Sequence, residues 1–199
     1  DVTVPAWVAP GTLPALKGRI TAGAPGFMVS TRFDLTQSAR YETKLYRNVP
    51  GDDLALGLVH VTRNARELFI ATTMARLFGW TLALGRAPDS LSVVVDQPPN
   101  SASYYLDDTQ WIHVAETSAW NTRTLAHEFG HHWMHRFSPT TAETEYCNGV
   151  CDGGSTGDCG NKVWCPENLD VAWKEGFSNW LAEEFLSYWR GAFLAEPPG

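Results

Sequence analysis

Apolar and polar positions along the chain change period several times, and each change marks an element. Residues 1–26 hold several Pro and Gly with no sustained period, which predicts an irregular N-terminal arm with at most short strands. From Phe27 to Leu35 the apolar residues Phe27, Val29, Phe33 and Leu35 alternate with Ser30, Arg32 and Asp34. Tyr41-Thr43-Leu45 repeats the pattern, so a β-hairpin or small sheet is expected here. Asp52 and Asp53 then offer N-caps to Leu54, Leu58, Val61, Ala65, Leu68 and Ala75, whose spacing predicts a long helix over 52–79 that ends at Gly79.

A short buried strand, Leu91–Val95, follows, and then a Pro98-Pro99-Asn100 turn. Two alternating runs, Ser103–Leu106 and Trp111–Ala115, should form a hairpin about Asp107-Asp108-Thr109. A second helix is expected from near Asn121 to about Phe137, where Ser138-Pro139 stops it; a last one runs from about Leu169 to Arg190 after start signals in 166–170. Strands, long helix, mixed sheet, helix, loop and final helix together make an α+β chain. It divides into an N-terminal arm and hairpin region over 1–50 and a main domain over 51–199.

Bulk properties narrow the partners. The net charge of −7 argues against nucleic acid or an anionic membrane as the main partner. No run of about 18 apolar residues is present, so no membrane span is expected. The chain carries no signal peptide and begins at Asp1 rather than Met, which suggests a processed mature form or a trimmed chain. Cys147, Cys151, Cys159 and Cys165 fall in a segment rich in Gly, Asp and Asn. We read them as two disulfides rather than a structural zinc site, because no CxxC pair is present and the gaps are irregular. Disulfides imply an oxidising compartment, hence a secreted or periplasmic protein.

The chemistry is concentrated in His127-Glu128-Phe129-Gly130-His131, an HExxH pattern. On a helix the two His lie one turn apart on one face, so both imidazoles reach one metal ion, expected to be zinc. Glu128 beside them can take a proton from water at that ion. Such sites use three protein ligands, so another must lie elsewhere. A third His six residues after His131 is excluded, because that position is Phe137 and the accompanying Gly position is Met134. Downstream carboxylates are Glu143, Glu145, Glu167, Glu175, Glu183 and Glu184. Glu175 is preferred, since Ala172, Glu175, Gly176 and Asn179 share one helix face and small neighbours permit close approach to the metal helix. Gly176 within a helix costs about 1 kcal/mol relative to Ala, which points to a steric demand there. Asn179 could hydrogen-bond a ligating side chain.

His-Glu-Phe-Gly-His followed by Trp-Lys-Glu-Gly-Phe-Ser-Asn resembles the gluzincin metallopeptidases, in which HExxH is joined by a Glu from a later helix. Thermolysin-like members carry Asn-Glu-x-x-Ser-Asp around that Glu, and aminopeptidase N-like members carry Asn-Glu-Gly-Phe-Ala. Here Lys174 stands where Asn is usual and Asn179 where Asp is usual. His-Glu-x-Gly-His-His with Ala-Trp-x-Glu-Gly is also similar to bacterial secreted metallopeptidases with a cysteine-containing insertion. The resemblance covers mainly residues 120–137 and 170–185. It implies a zincin-like fold: a mixed sheet on a long backing helix and an HExxH helix, with the third ligand on a C-terminal helix. It also implies a zinc endopeptidase acting on polypeptide, with His127, His131 and Glu175 as ligands and Glu128 as general base, then acid.

A tetrahedral oxyanion needs a further donor, for which gluzincins use a Tyr or His outside the motif. Tyr146, Tyr188, His132 and His135 are the candidates, and Tyr146 in the cysteine loop is preferred. His132 and His135 are expected to face away from the His127–His131 line. His60 and His113 carry no motif. Trp111–Ala115 is expected to be an edge strand that pairs with extended peptide. Of nine tryptophans, Trp133, Trp173, Trp180 and Trp189 are assigned to packing rather than carbohydrate binding. Asp152–Asp158 is an acidic turn that calcium could occupy, but it lacks the EF-hand ligand series and is read as a solvated loop. The rival to an enzyme is an inactive zincin-fold binding module, and an intact Glu128 speaks against it.

Overall fold

The computed structural model describes residues 19–42, 64–137 and 169–194. The strands among them are β1 (Arg19–Thr21), β2 (Gly23–Ala24), β3 (Phe27–Thr31), β4 (Asp34–Ser38), β5 (Arg40–Glu42), β6 (Leu91–Gln97), β7 (Tyr104–Leu106) and β8 (Trp111–Ala115). The helices are α1 (Ala65–Ala83), α2 (Thr122–Phe137) and α3 (Leu169–Leu194). The chain is thus mixed α+β, with the final helix running past Arg190.

Strands lie in the order β2-β3-β6-β8-β7, with β4 hairpinned onto β3; β1 and β5 pair separately. β3, β6 and β8 are parallel, and β7 returns antiparallel to β8 as an edge. In β6 the run Val93-Val94-Val95 is buried throughout, as expected of a strand covered on both faces in a parallel region. Val29, Val93, Val95, Ile112 and Val114 meet Ile70, Met74 and Leu77 of α1 and Leu125 and Phe129 of α2 in one core. Tilted rings stitch these layers: Phe27 to Phe78 at 5.2 Å and Phe78 to Phe129 at 5.6 Å between centroids.

Several sequence expectations are corrected here. Trp111–Ala115 is not an edge: β8 lies between β6 and β7, and among the described residues Tyr104–Leu106 is the strand at that edge. Alternation reports which face a strand buries, and β8 does bury Ile112 and Val114 while Trp111 and His113 stay partly open. Whether a strand has one neighbour or two is set by other segments. The Phe27–Leu35 alternation also fails after Thr31. The β3–β4 pairing shifts register between Ser30 and Thr31, which loses the phase of a period-2 pattern. Phe33 at the turn is then 85% exposed, and Leu35 faces solvent.

The long helix expected over 52–79 is also displaced. Asn64, with φ of 51°, breaks the chain in the left-handed region, donates its side-chain amide to the Arg40 carbonyl at 2.8 Å, and α1 starts behind it. Residues 52–63, with both proposed Asp caps, lie outside the described residues, and Ala75 is exposed. Gly79 is not the stop. The helix continues to Ala83, where Gly85 at φ +79° caps it: Arg86 N–H donates to Thr81 O and Gly85 N–H to Leu82 O. This is the Schellman arrangement, which a Gly just past the helix end allows.

α3 lies on α2 and also meets α1, where Phe185 packs against Trp80 with ring centroids 5.7 Å apart. Leu181, Ala182 and Phe185 are buried, and the helices come close at Gly130, where an added Cβ would stand 2.8 Å from the Ser178 Cα. Gly176, expected to carry the steric demand, is exposed, and a Cβ there would meet nothing within 4 Å. The small residue that the contact requires is therefore inside the HExxH pattern. Gly130→Ala should lower stability by about 1–3 kcal/mol, as overpacking does. Gly176→Ala should be neutral or stabilising by up to about 1 kcal/mol. Denaturant unfolding of the two variants reads the difference, and the reverse order would contradict this contact.

Candidate metal centre

Asn121 sets where α2 begins. Its side-chain Oδ1 accepts from the backbone N–H of Arg123 at 3.0 Å and of Thr124 at 3.2 Å, as an N-cap does. Leu125, Ala126 and Phe129 are then fully buried, which fixes the rotation of the helix. His127 and His131, one turn apart, fall on the flank that meets α3. Their side chains retain 19% and 17% of their exposure, and Glu175 retains 22%.

The three donors converge. His127 Nε2 lies 3.1 Å from His131 Nε2, 3.2 Å from Glu175 Oε2, and His131 Nε2 lies 3.4 Å from Glu175 Oε1. Among the described residues this is the group of three His, Cys, Asp or Glu that could hold a metal ion. Two imidazole nitrogens and a carboxylate oxygen are a borderline-to-hard donor set suited to a first-row divalent ion. The other described carboxylates of the sequence analysis do not join it. Glu183 pairs with Arg123 at 2.7 Å on the surface, and Glu184 is exposed. Glu143, Glu145 and Glu167 lie outside the described residues, as do Tyr146, His60, the four cysteines and the acidic turn 152–158.

Glu175 and its surroundings alter the protonation of the site. Burial works against a charged His127 ring, but the Glu175 hydrogen bond, the charges of Glu128 and Glu175, and a hydrogen bond to the Asn179 side chain raise its pKa overall. Asn179 thus sits against a ligand-type histidine, one turn beyond Glu175. Glu128 is buried, 5% exposed, and its carboxyl is pushed up to about 8. Burial is the main cause; the His127 charge lowers it, the Glu175 charge raises it, and a hydrogen bond from the Tyr105 backbone lowers it.

The remaining histidines separate from this cluster. His132 is buried on the β7 side of α2, with Nδ1 3.2 Å from the Tyr105 hydroxyl and Nε2 3.1 Å from the Asp89 carbonyl. His135 pairs with Asp107 at 3.6 Å. His113 bonds Asp96 through Nδ1 at 2.7 Å and stacks on Tyr104. Tyr188 is exposed and lies beside Trp80 with ring centroids 6.3 Å apart. Of the tryptophans assigned to packing, Trp133 and Trp189 are half-buried, whereas Trp173 and Trp180 are 59% and 52% exposed. Core-like spacing on α3 misled because its buried stripe, Ser178-Leu181-Ala182-Phe185, runs beside them. Sequence reading also missed Tyr105 and Asp89. The doubled His131-His132 was the available signal, because the second ring must point off the ligand face.

Comparison with known proteins gives no matching family model and no similar curated protein. The geometry therefore stands on its own.

Ligation requires neutral imidazoles and an ionised carboxylate. His127 and Glu128 both hold protons more tightly than usual, and a cation at the triad opposes both. Addition of a divalent metal at pH 7 should accordingly release roughly one proton or more per ion bound. Calorimetry in two buffers of different ionisation heat measures the number, and release near zero would contradict this electrostatic account.

Proposed function

We propose that the chain is a zinc-dependent peptidase of the gluzincin type, with His127, His131 and Glu175 as zinc ligands and Glu128 as general base. The observation that carries the reading is the convergence of the two imidazoles on one carboxylate: the Nε2 atoms of His127 and His131 are 3.1 Å apart, and they lie 3.2 Å from Glu175 Oε2 and 3.4 Å from Glu175 Oε1 respectively. His127, His131 and Glu175 would each give zinc one atom, and these donors are already gathered closely enough to hold one ion together. The fold supports the same reading: we take α1 as the backing helix, α2 as the active-site helix and α3 as the ligand-bearing helix of a zincin-like domain.

When bound, zinc acidifies water and polarises the scissile carbonyl. Glu128 takes the proton from the attacking water and passes it to the leaving amine. Its burial, which raises its pKa, suits a group that must both accept and release a proton near neutral pH. Asn179 holds the His127 ring in orientation. An extended polypeptide would add to the edge strand β7, in place of the Trp111–Ala115 strand expected from sequence, and this favours internal over terminal cleavage. Tyr146 remains the proposed oxyanion donor; Tyr188 and His132 are turned to other partners. The clustered cysteines support a secreted or periplasmic location.

Zinc analysis and casein digestion test the proposal together. Wild type should bind about one zinc per chain and hydrolyse casein. Glu128→Ala should keep the metal and lose about 10²–10⁴-fold in rate. Glu175→Ala should lose zinc, whereas Glu183→Ala should retain it. Equal hydrolysis by wild type and Glu128→Ala would overturn the mechanism.

A further inference from the structure

Glu128 and His132 are four residues apart on α2, so both side chains leave the same flank of the helix. Both go to one residue of the facing strand. The Tyr105 backbone N–H hydrogen-bonds the Glu128 carboxylate, and the Tyr105 hydroxyl lies 3.2 Å from His132 Nδ1. The rings of Tyr105 and His132 also meet edge-on, 5.4 Å between centroids.

β7 is three residues long and, among the described residues, is paired on one side only, with β8. A strand so short, at an edge, has little backbone bonding to hold it in place. His132 supplies a second anchor and is itself fixed. It is 3% exposed, and its Nε2 lies 3.1 Å from the Asp89 carbonyl. A carbonyl only accepts, so Nε2 carries the proton, and in the neutral ring Nδ1 accepts from the Tyr105 hydroxyl. The order of dependence runs from Asp89 to His132, to the Tyr105 side chain, to the Tyr105 amide, and so to the carboxylate of Glu128.

We propose that Tyr105 and His132 are positioning residues for Glu128: α2 grips the edge strand through His132, and the strand in return holds the Glu128 carboxylate at a fixed orientation beside the His127–His131–Glu175 cluster. Neither residue belongs to that cluster, and both act through Glu128. The inference rests on the peptidase reading for its kinetic consequence but not for its geometry, and the two can be tested apart.

The geometric arm uses the protein without added metal and follows amide hydrogen exchange at Tyr105 by NMR. Glu128→Ala removes the acceptor, while Tyr105→Phe and His132→Phe remove the grip. Each should speed exchange at Tyr105 about tenfold or more, with core amides of β6 unchanged as a folding control. Unchanged exchange at Tyr105 in Tyr105→Phe, a variant that keeps the ring packing, overturns the inference. The kinetic arm uses zinc-loaded protein and casein-derived peptides. Tyr105→Phe and His132→Phe should lower kcat about 10- to 100-fold, the usual cost of losing an orienting partner, with KM and zinc content unchanged. His132→Asn, which keeps an acceptor near the Nδ1 position, should recover part of the loss. Full kcat in both Phe variants of an active wild type overturns the positioning role and leaves the peptidase reading intact. No hydrolysis by zinc-loaded wild type overturns the peptidase reading, and exchange still decides whether Tyr105 and His132 hold Glu128.

Discussion

The approach of α3 to α2 at Gly130 is the contact on which the site depends. Helix axes ordinarily stand 8–10 Å apart because side chains fill the space between them. Here one helix offers no side chain and the other offers Ser178, whose Cα is 2.8 Å from the position of a Cβ on Gly130. The donors are divided between those same helices, two on α2 and one on α3. Gly130 is the immediate neighbour of His131, and Ser178 lies three residues from Glu175, so the contact is about one helical turn from the donor cluster. Any widening there acts directly on the reach of the Glu175 carboxylate. Among the described residues the buried Ser178 hydroxyl has no hydrogen-bond partner. Such a group costs about 1–3 kcal/mol, so the contact uses the small size of this side chain and not its polarity.

A second constraint is electrostatic and follows from the first. Bringing the helices together adds Glu175 to Glu128 beside the His127 imidazole, in partial or full burial. Burial is the chief reason that the Glu128 carboxyl is pushed up to about 8, and the Glu175 charge adds to it. Without a cation, these charges favour the protonated forms of His127 and Glu128. A cation at the triad removes the conflict, since it attracts both carboxylates and asks the imidazoles to be neutral. The arrangement is therefore better suited to a positive ion than to the protons that substitute for it.

How legible this was in the sequence depended on whether a feature was local. HExxH and its helix were readable because ligand spacing, an N-cap at Asn121 and a Pro139 stop all act within a few residues. Glu175 was readable at longer range because residue type and helix face left few competitors. The reason given for it was half right: a glycine does permit close approach, but it is Gly130 and not Gly176. The β6 strand was evident from its unbroken apolar run. Features set by distant partners were not readable. β8 and β7 exchange edge and interior positions without altering the alternation of either. The start of α1 turns on Asn64 adopting a left-handed conformation and bonding Arg40, a partner twenty-four residues away. Trp173 and Trp180 have helix-core spacing yet flank the buried stripe of α3.

The same reasoning explains why α2 carries so much of the candidate site in 16 residues. Leu125, Ala126 and Phe129 are committed to the sheet core, and Gly130 to α3. His127 and His131 then take the flank beside α3, while Glu128 and His132 take the flank beside β7. Each of these directions is fixed by the 100° step between residues once the core face is set. Rotation of α2 by one position would bury a ligand, expose Phe129 and drive a side chain into Ser178 at once. The core packing that holds this rotation is thus the same packing that aims the donors and the buried acid, and stability and site geometry cannot be varied separately along this helix.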